Sequence, residues 1–340
     1  MKSHPLDALA QQLVAPDRGI LAADESSGTI EKRFQAVGIP STEITRRDYR
    51  ELLFSSPGID QYLSGVILYE ETLSQIGRDG RRLVQILEDS GILPGIKVDR
   101  GIKPLPGQPD ESVTEGLDGL HERLAAYRGQ GARFTKWRAV IRVDEERPSS
   151  LALKANAEVL ARYAGLVQEA GMVPIVEPEV LMEGSHDLDR CETVTTAALD
   201  QLFMALKAYR VRLEALVLKP NMVVSGTQCN RPASVETVAQ ATVQTLARTV
   251  PAAVPGIAFL SGGQSPEQAT QHLDAINRLA TRLPWRLTFS FSRALQEPPL
   301  RMWAGKEDRI RQAQELFSQR VRLNSLASMG RYHPDLEKVA

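Results

Sequence analysis

The sequence predicts an α/β protein built as a single (β/α)8 TIM barrel, and three observations carry that reading. Eight short aliphatic runs recur along the chain, starting about 30–45 residues apart. They lack strict apolar–polar alternation, as strands covered on both faces do. Stretches of helical periodicity separate them, and the span from Gly19 to Arg293, about 275 residues, is close to the roughly 250 residues usual for this architecture. An open doubly wound sheet fits the same pattern, because pattern alone does not prove closure.

The strand runs, in order, are Gly19–Glu25, Ser64–Glu70, Gly95–Asp99, Phe134–Val140, Met172–Val180, Glu214–Val223, Gly256–Gly263 and Arg286–Ser292. The first gap is the longest and leaves room for extra helices around Ile30–Val37 and Thr45–Phe54. Gly101–Pro109 is rich in glycine and proline and reads as a long loop. Leu151–Ala170 has apolar residues near helical spacing and stops at Gly171; Thr193–Leu213 and Ser234–Val250 are similar. A further helix opens at Ser265-Pro266-Glu267-Gln268, with Ser265 as N-cap, Pro266 in the first turn and Gln268 as capping-box partner. Lys306–Leu326 is a last helix before a short polar tail. No low-complexity linker interrupts the chain, so residues 1–340 read as one domain, with a barrel core over about 19–293 and a helix and tail over 306–340.

Composition narrows the function classes. The 340 residues are 42% hydrophobic and 24% charged, with 41 basic and 42 acidic residues and a net charge of −1. That balance argues against a dedicated nucleic-acid binder but leaves room for a local basic pocket. Cys191 and Cys229 form no CxxC pair, and the five histidines form no HExxH or HxH motif, so no metal site is expected. No segment reaches the roughly 18 apolar residues of a membrane span, and MKSHPLDALAQQLV lacks the apolar centre of a secretory signal, so a cytoplasmic setting is the default.

In a barrel, chemistry sits at the C-terminal ends of the strands. Those ends here carry Asp24 and Glu25; Lys97 and Asp99; Lys136 and Arg138; Glu177 and Glu179; Lys219; Ser261-Gly262-Gly263; and Ser290 with Arg293. Lys219 lies in ALVLKPNMV, inside an apolar strand. Burial disfavours the ammonium form of a lysine, and nearby cations such as Lys136 and Lys97 add to that. A neutral amine attacks carbonyl carbon to form a Schiff base. The same position also suits a lysine whose ammonium pairs with a carboxylate at the strand end. Glu177 and Glu179 are two apart, so both point to one face; like charges this close are expected to push at least one pKa up and provide an acid/base group. Their alternative role is to neutralise basic strand ends. LSGGQS ends a strand and opens a helix, which suits an anion held by backbone N–H groups, and Arg293 is placed to clamp the same group. Lys32 and Arg33 suit either a second anion or a solvated helix face. Trp137, Trp285 and Trp303 read as core or interface.

These strings together resemble class I fructose-bisphosphate aldolase, the metal-independent Schiff-base type, essentially end to end: GILAADES, IKVDRG, the KWR of FTKWRAV, PIVEPEVL, HDLDRC, LKPNMV, FLSGGQS, LTFSFSRALQ and NSLASMGRY. The resemblance implies reversible cleavage of fructose 1,6-bisphosphate to dihydroxyacetone phosphate and glyceraldehyde 3-phosphate, without a cofactor. It implies that Lys219 forms the Schiff base and Glu177 is the general acid/base. Lys136 would orient the C2 region, Asp24 would hold the C4 hydroxyl and Glu179 would tune the site. Ser261, Gly262, Ser290 and Arg293, with Gly263 supporting the turn, would take the 1-phosphate; Lys32, Arg33, Lys97 and Arg138 would serve the 6-phosphate side. It further implies sugar phosphates as the only small-molecule partners, no nucleic acid or membrane, and a homotetramer.

Two departures from the family pattern stand out. Phe291-Ser292 replaces the usual Tyr-Gly before the strand-eight arginine, which keeps the backbone N–H but removes glycine's freedom. The chain also stops at Lys338-Val339-Ala340, without the long tyrosine-ended tail of animal members. Other Schiff-base aldolase preferences, for fructose 1-phosphate or sedoheptulose 1,7-bisphosphate, and a non-catalytic aldolase-like scaffold are the competing readings.

Overall fold

The computed structural model describes residues 4–280 and 282–338, so the last two tail residues, Val339 and Ala340, lie outside the described residues. In chain order the strands are β1 (Gly19–Ala23), β2 (Leu63–Leu68), β3 (Leu93–Lys97), β4 (Ile102–Pro104), β5 (Ser112–Thr114), β6 (Phe134–Ile141), β7 (Val173–Val180), β8 (Val217–Leu218), β9 (Gly256–Phe259) and β10 (Arg286–Phe291). Eight of them close a parallel barrel in the order β1-β10-β9-β8-β7-β6-β3-β2. Closure is explicit at β1, where Ile20 pairs with Ser290 on one side and Gly65 on the other, and this removes the open-sheet alternative. Every residue of β2 and β7 is buried, as strands covered on both faces require.

The helices are α1 (Pro5–Leu13), α2 (Ser27–Gln35), α3 (Glu43–Phe54), α4 (Glu70–Ser74), α5 (Leu83–Asp89), α6 (Leu120–Gly129), α7 (Ser150–Glu169), α8 (Leu188–Ala208), α9 (Val235–Thr249), α10 (Pro266–Leu279), α11 (Arg293–Trp303) and α12 (Ile310–Ser328). The long first gap holds α2 and α3, as its length suggested. α10 starts with the cap its sequence predicts, Ser265 Oγ accepting from Gln268 N at 3.1 Å and Pro266 filling the first turn, but the Gln268 side chain does not complete the capping box; Ser265 Oγ donates to Glu267 instead.

Four features differ from the sequence reading. Gly101–Pro109 is not simply a loop: Ile102–Pro104 pairs antiparallel with Ser112–Thr114 in a separate ribbon. Three-residue strands are too short to show a period. α8 begins at Leu188 rather than Thr193, because Asp187 caps it by accepting from Arg190 N at 2.9 Å. β8 is only two residues long, since Leu213–Ala215 forms a 3-10 turn before it and Pro220, after Lys219, has no N–H to continue the ladder. α1 and α11 lie where no helix was expected; α11 contains Pro298 and Pro299, which read as breakers.

Apolar residues fill both faces of the barrel wall. Outside it, Trp137, Trp285 and Trp303 all join the core between strands and helices. Inside, Leu6, Ala10 and Leu13 of α1 pack against Ile20, Ile67, Phe134, Val173 and Val217 and plug the N-terminal end. The plug needs glycine in the wall: a Cβ on Gly95 would lie 2.3 Å from the Phe134 ring. Each fully buried Leu or Phe contributes roughly 1.5–3 kcal/mol. The apolar plug leaves the opposite, C-terminal mouth to carry polar residues.

Candidate active site

At that mouth lies a cleft of about 420 Å³. It is lined by Asp24, Lys32, Arg33, Lys97, Lys136, Arg138, Glu177, Glu179, Lys219, Ser261, Gly262, Ser290 and Arg293, so thirteen residues singled out from the sequence meet in one place. Gly263 does not line it; it sits in the turn, with Met182 Sδ and Thr227 Cγ2 each 3.6 Å from where a Cβ would stand. Gly262 has φ +57°, a left-handed value that suits glycine in this turn.

Parallel register explains the clustering. Lys97 on β3 pairs with Lys136 on β6, and Arg138 pairs with Glu177 on β7. Side chains two apart on each strand then point inward together. Asp24, Lys136, Glu177 and Lys219 are all at most 8% exposed. Lys136 Nζ lies 2.7 Å from Asp24 Oδ2 and 3.2 Å from Glu177 Oε2, while Lys219 Nζ lies 3.1 Å from Glu177 Oε1. One carboxylate therefore stands between two ammonium groups. Glu179 pairs with Arg138, and Lys97 Nζ is 2.6 Å from Asp99 Oδ1. Lys219 is thus buried and paired with a carboxylate, as the second of its two sequence readings has it.

The electrostatics correct one expectation. At least one of Glu177 and Glu179 was expected to have a raised pKa, and Glu177 does not. Burial does push it up, but Lys136, Lys219 and Arg138 outweigh burial and hold the carboxyl below its ordinary value. Asp24 behaves likewise: burial raises it, Lys136 and Lys219 overcome that, and the net is far below the usual carboxylate range. For Lys136, burial favours the neutral amine, but Asp24 and Glu177 prevail and keep it charged. The cations of the site, not carboxylate repulsion, set its protonation states. Among the described residues two buried oxygens of the cleft lack a hydrogen bond: Ser290 Oγ has no partner, and Glu177 Oε2 meets only the Lys136 ammonium at 3.2 Å. An acceptor and a hydroxyl so placed are open to a substrate.

Three features went unread in the sequence. Glu25 is the hub of a buried network: it pairs with Arg33 and Arg50 and accepts from Gln296 Nε2 at 2.8 Å and Ser292 Oγ at 2.8 Å. The AADES string pointed to Glu25, but nothing linked it to Arg50 or Gln296. Asn221, two residues past Lys219, takes over where the β7–β8 ladder stops; its Oδ1 accepts from Val180 N at 3.1 Å and its Nδ2 donates to Thr195 Oγ1 at 3.1 Å. Ser26 and Thr29 line both this cleft and a neighbouring one of about 420 Å³ that shares Lys97 and Arg138 and adds Arg100 and Arg123. Their place at the start of α2, Ser26 as its N-cap and Thr29 in its first turn, was the available signal. Arg293 donates to Gly262 O, so it braces the turn it was expected to complete.

Comparison with known proteins fits this geometry. The family model described as fructose-bisphosphate aldolase class-I matches residues 5–340. The chain belongs to the class I fructose-bisphosphate aldolase family. The chain is 50% identical over 333 residues to a probable fructose-bisphosphate aldolase class 1 of Xanthomonas campestris pv. campestris, covering 98% of this chain and 99% of that one. It is 51% identical to the cytoplasmic isozyme of Spinacia oleracea, covering 96% and 91%. A solved fructose-bisphosphate aldolase from Plasmodium falciparum, in complex with TRAP and a small-molecule inhibitor, superposes with a TM-score of 0.95 at 46% identity, covering 96% and 95%. This aldolase is accordingly a lyase that cleaves fructose 1,6-bisphosphate reversibly into two triose phosphates.

Proposed function

We propose that Lys219 carries the aldol chemistry as a Schiff base, and the observation behind this is its buried Nζ 3.1 Å from Glu177 Oε1. The Lys219 amine adds to the C2 carbonyl of the ketose. Glu177, a carboxylate at rest, takes a proton from Lys219 as that amine adds and returns it to the carbinolamine hydroxyl, which leaves as water to give the protonated imine. Asp24 takes the C4 hydroxyl proton as the C3–C4 bond breaks. The bond's electron pair moves into the imine, leaving an enamine, and glyceraldehyde 3-phosphate departs. Protonation at C3 and hydrolysis then release dihydroxyacetone phosphate. Lys136, charged between Asp24 and Glu177, orients the C2 region and steadies both carboxylates. Glu179 holds Arg138 in place.

Ser261, Gly262, Ser290 and Arg293, with Gly263 shaping the turn, take the 1-phosphate; the unpartnered Ser290 hydroxyl supports this. Lys32, Lys97 and Arg138 serve the 6-phosphate. Arg33 was grouped with them, yet it bonds to Ser292 beside Arg293, so we place it on the 1-phosphate side. Two phosphates fixed at opposite ends orient the reacting bond. The enzyme works as one domain, residues 1–340, in cytoplasmic glycolysis and gluconeogenesis, a setting supported by the cytosolic names of plant relatives. Homotetramers are the assembly we expect, checked by sedimentation velocity.

The deciding experiment is borohydride reduction in the presence of dihydroxyacetone phosphate. Peptide mapping should find the adduct on Lys219, none in Lys219→Ala, and full turnover in excess EDTA. An adduct elsewhere sinks the assignment.

A further inference from the structure

We propose that Ser292 is a positioning residue of this enzyme: its hydroxyl, with Glu25, grips the Arg33 guanidinium by one nitrogen and presents the other edge to the substrate's phosphate. This rests on the aldolase reading of the cleft. Ser292 stands where the family usually has glycine. Its Oγ uses all of its hydrogen-bonding capacity: it donates to Glu25 Oε1 at 2.8 Å and accepts from Arg33 Nη1 at 3.1 Å and Gln296 Nε2 at 3.2 Å. Among the described residues Arg33 in turn spends only Nη1, on Glu25 and Ser292.

A guanidinium has five N–H groups in a rigid fork. Holding both hydrogens of Nη1 leaves Nε and Nη2, the edge that meets an oxyanion in two parallel bonds. Arg33, Ser292 and Arg293 line the same cleft and 21% of the Arg33 side chain stays exposed, and on this proposal the free edge faces that cleft. The grip also ties α2, which bears Arg33, to the end of β10, which leads into Arg293. Glu25 is itself fixed by the buried Arg50 and by Gln296, so Ser292 acts on a rigid anchor. Glycine here would leave Arg33 one partner on that nitrogen and free to rotate about it; the guanidinium would then have to be ordered on binding.

The test uses steady-state kinetics in the condensation direction, where the two phosphates enter on separate molecules. In Ser292→Ala and Ser292→Gly the KM for dihydroxyacetone phosphate should rise about three- to tenfold, the scale of one charge-assisted hydrogen bond partly replaced by water. The KM for glyceraldehyde 3-phosphate and kcat should stay within about twofold. Ser292→Thr, which keeps the hydroxyl, should restore the wild-type KM. In an Arg33→Lys background Ser292→Ala should add little, because the fork it positions is gone. An unchanged KM in Ser292→Ala overturns the proposal, as does an equal rise for both trioses or an undiminished effect without Arg33. Loss of the Lys219 adduct in wild type would instead refute the catalytic reading, so the two failures are distinguishable.

Discussion

The two ends of the barrel are built from the same strands and obey opposite rules. At the N-terminal end, α1 inserts Leu6, Ala10 and Leu13 into an apolar cluster with Ile20, Phe134 and Val217, and its one buried carboxylate, Asp7, is paired with Arg212. At the C-terminal end, the same strands carry Asp24, Lys136, Glu177 and Lys219 into a buried ion cluster. Buried ion pairs are weak stabilisers, since desolvation offsets much of their attraction. Apolar burial has no such offset. One end therefore holds the fold, and the other is free to hold chemistry.

The largest test of that division is Lys219→Ala. Without its nucleophile the enzyme should lose about four orders of magnitude or more in kcat, as when a catalytic unit is broken. Its circular dichroism spectrum should stay native, and failure of the fold would blur the division. Next is Phe134→Ala at the plug, which should cost about 3–5 kcal/mol in urea denaturation. The kcat of the folded fraction should not move; a proportional loss would show that the plug shapes the site.

A smaller effect concerns His272, which is buried beneath the phosphate turn and bonds to Gln264, whose Nε2 donates to Ser261 O at 3.0 Å. Burial pushes its pKa down to about 4. The unfolded imidazole, near its ordinary value of 6.5, binds a proton that the folded one refuses. Stability is therefore full above pH 6.5 and falls as pH drops towards 4, by roughly 3 kcal/mol. His272→Gln should flatten that part of the wild-type curve, and a parallel curve counts against the assignment. The smallest effect should come from Arg311→Ala on α12. Its pairing with Glu315 is fully in solvent, so no measurable shift in unfolding midpoint is expected.

The two ends were not equally legible in the sequence. Strand-end chemistry could be read because charged residues inside apolar runs stand out, as in ALVLKPNMV and PIVEPEVL. The plug could not: α1 is only nine residues long, and its role appears only once the barrel closes over it. The protonation of Glu177 was misjudged for a related reason. Sequence displays its neighbour Glu179 but not Lys136 and Lys219, which arrive from other strands. Arg50 and Gln296, far from Glu25 in the chain, were hidden by the same distance.

The mouth of the barrel has a consequence for how fast substrate arrives. Seven cations and four carboxylates line the cleft, while the whole chain has a net charge of −1. The rest of the surface must then be negative. An approaching sugar bisphosphate is attracted most at that one opening, a local field that steers diffusion and shortens the search. Encounter, and so kcat/KM, should fall as salt screens that field, while kcat, set after capture, should not.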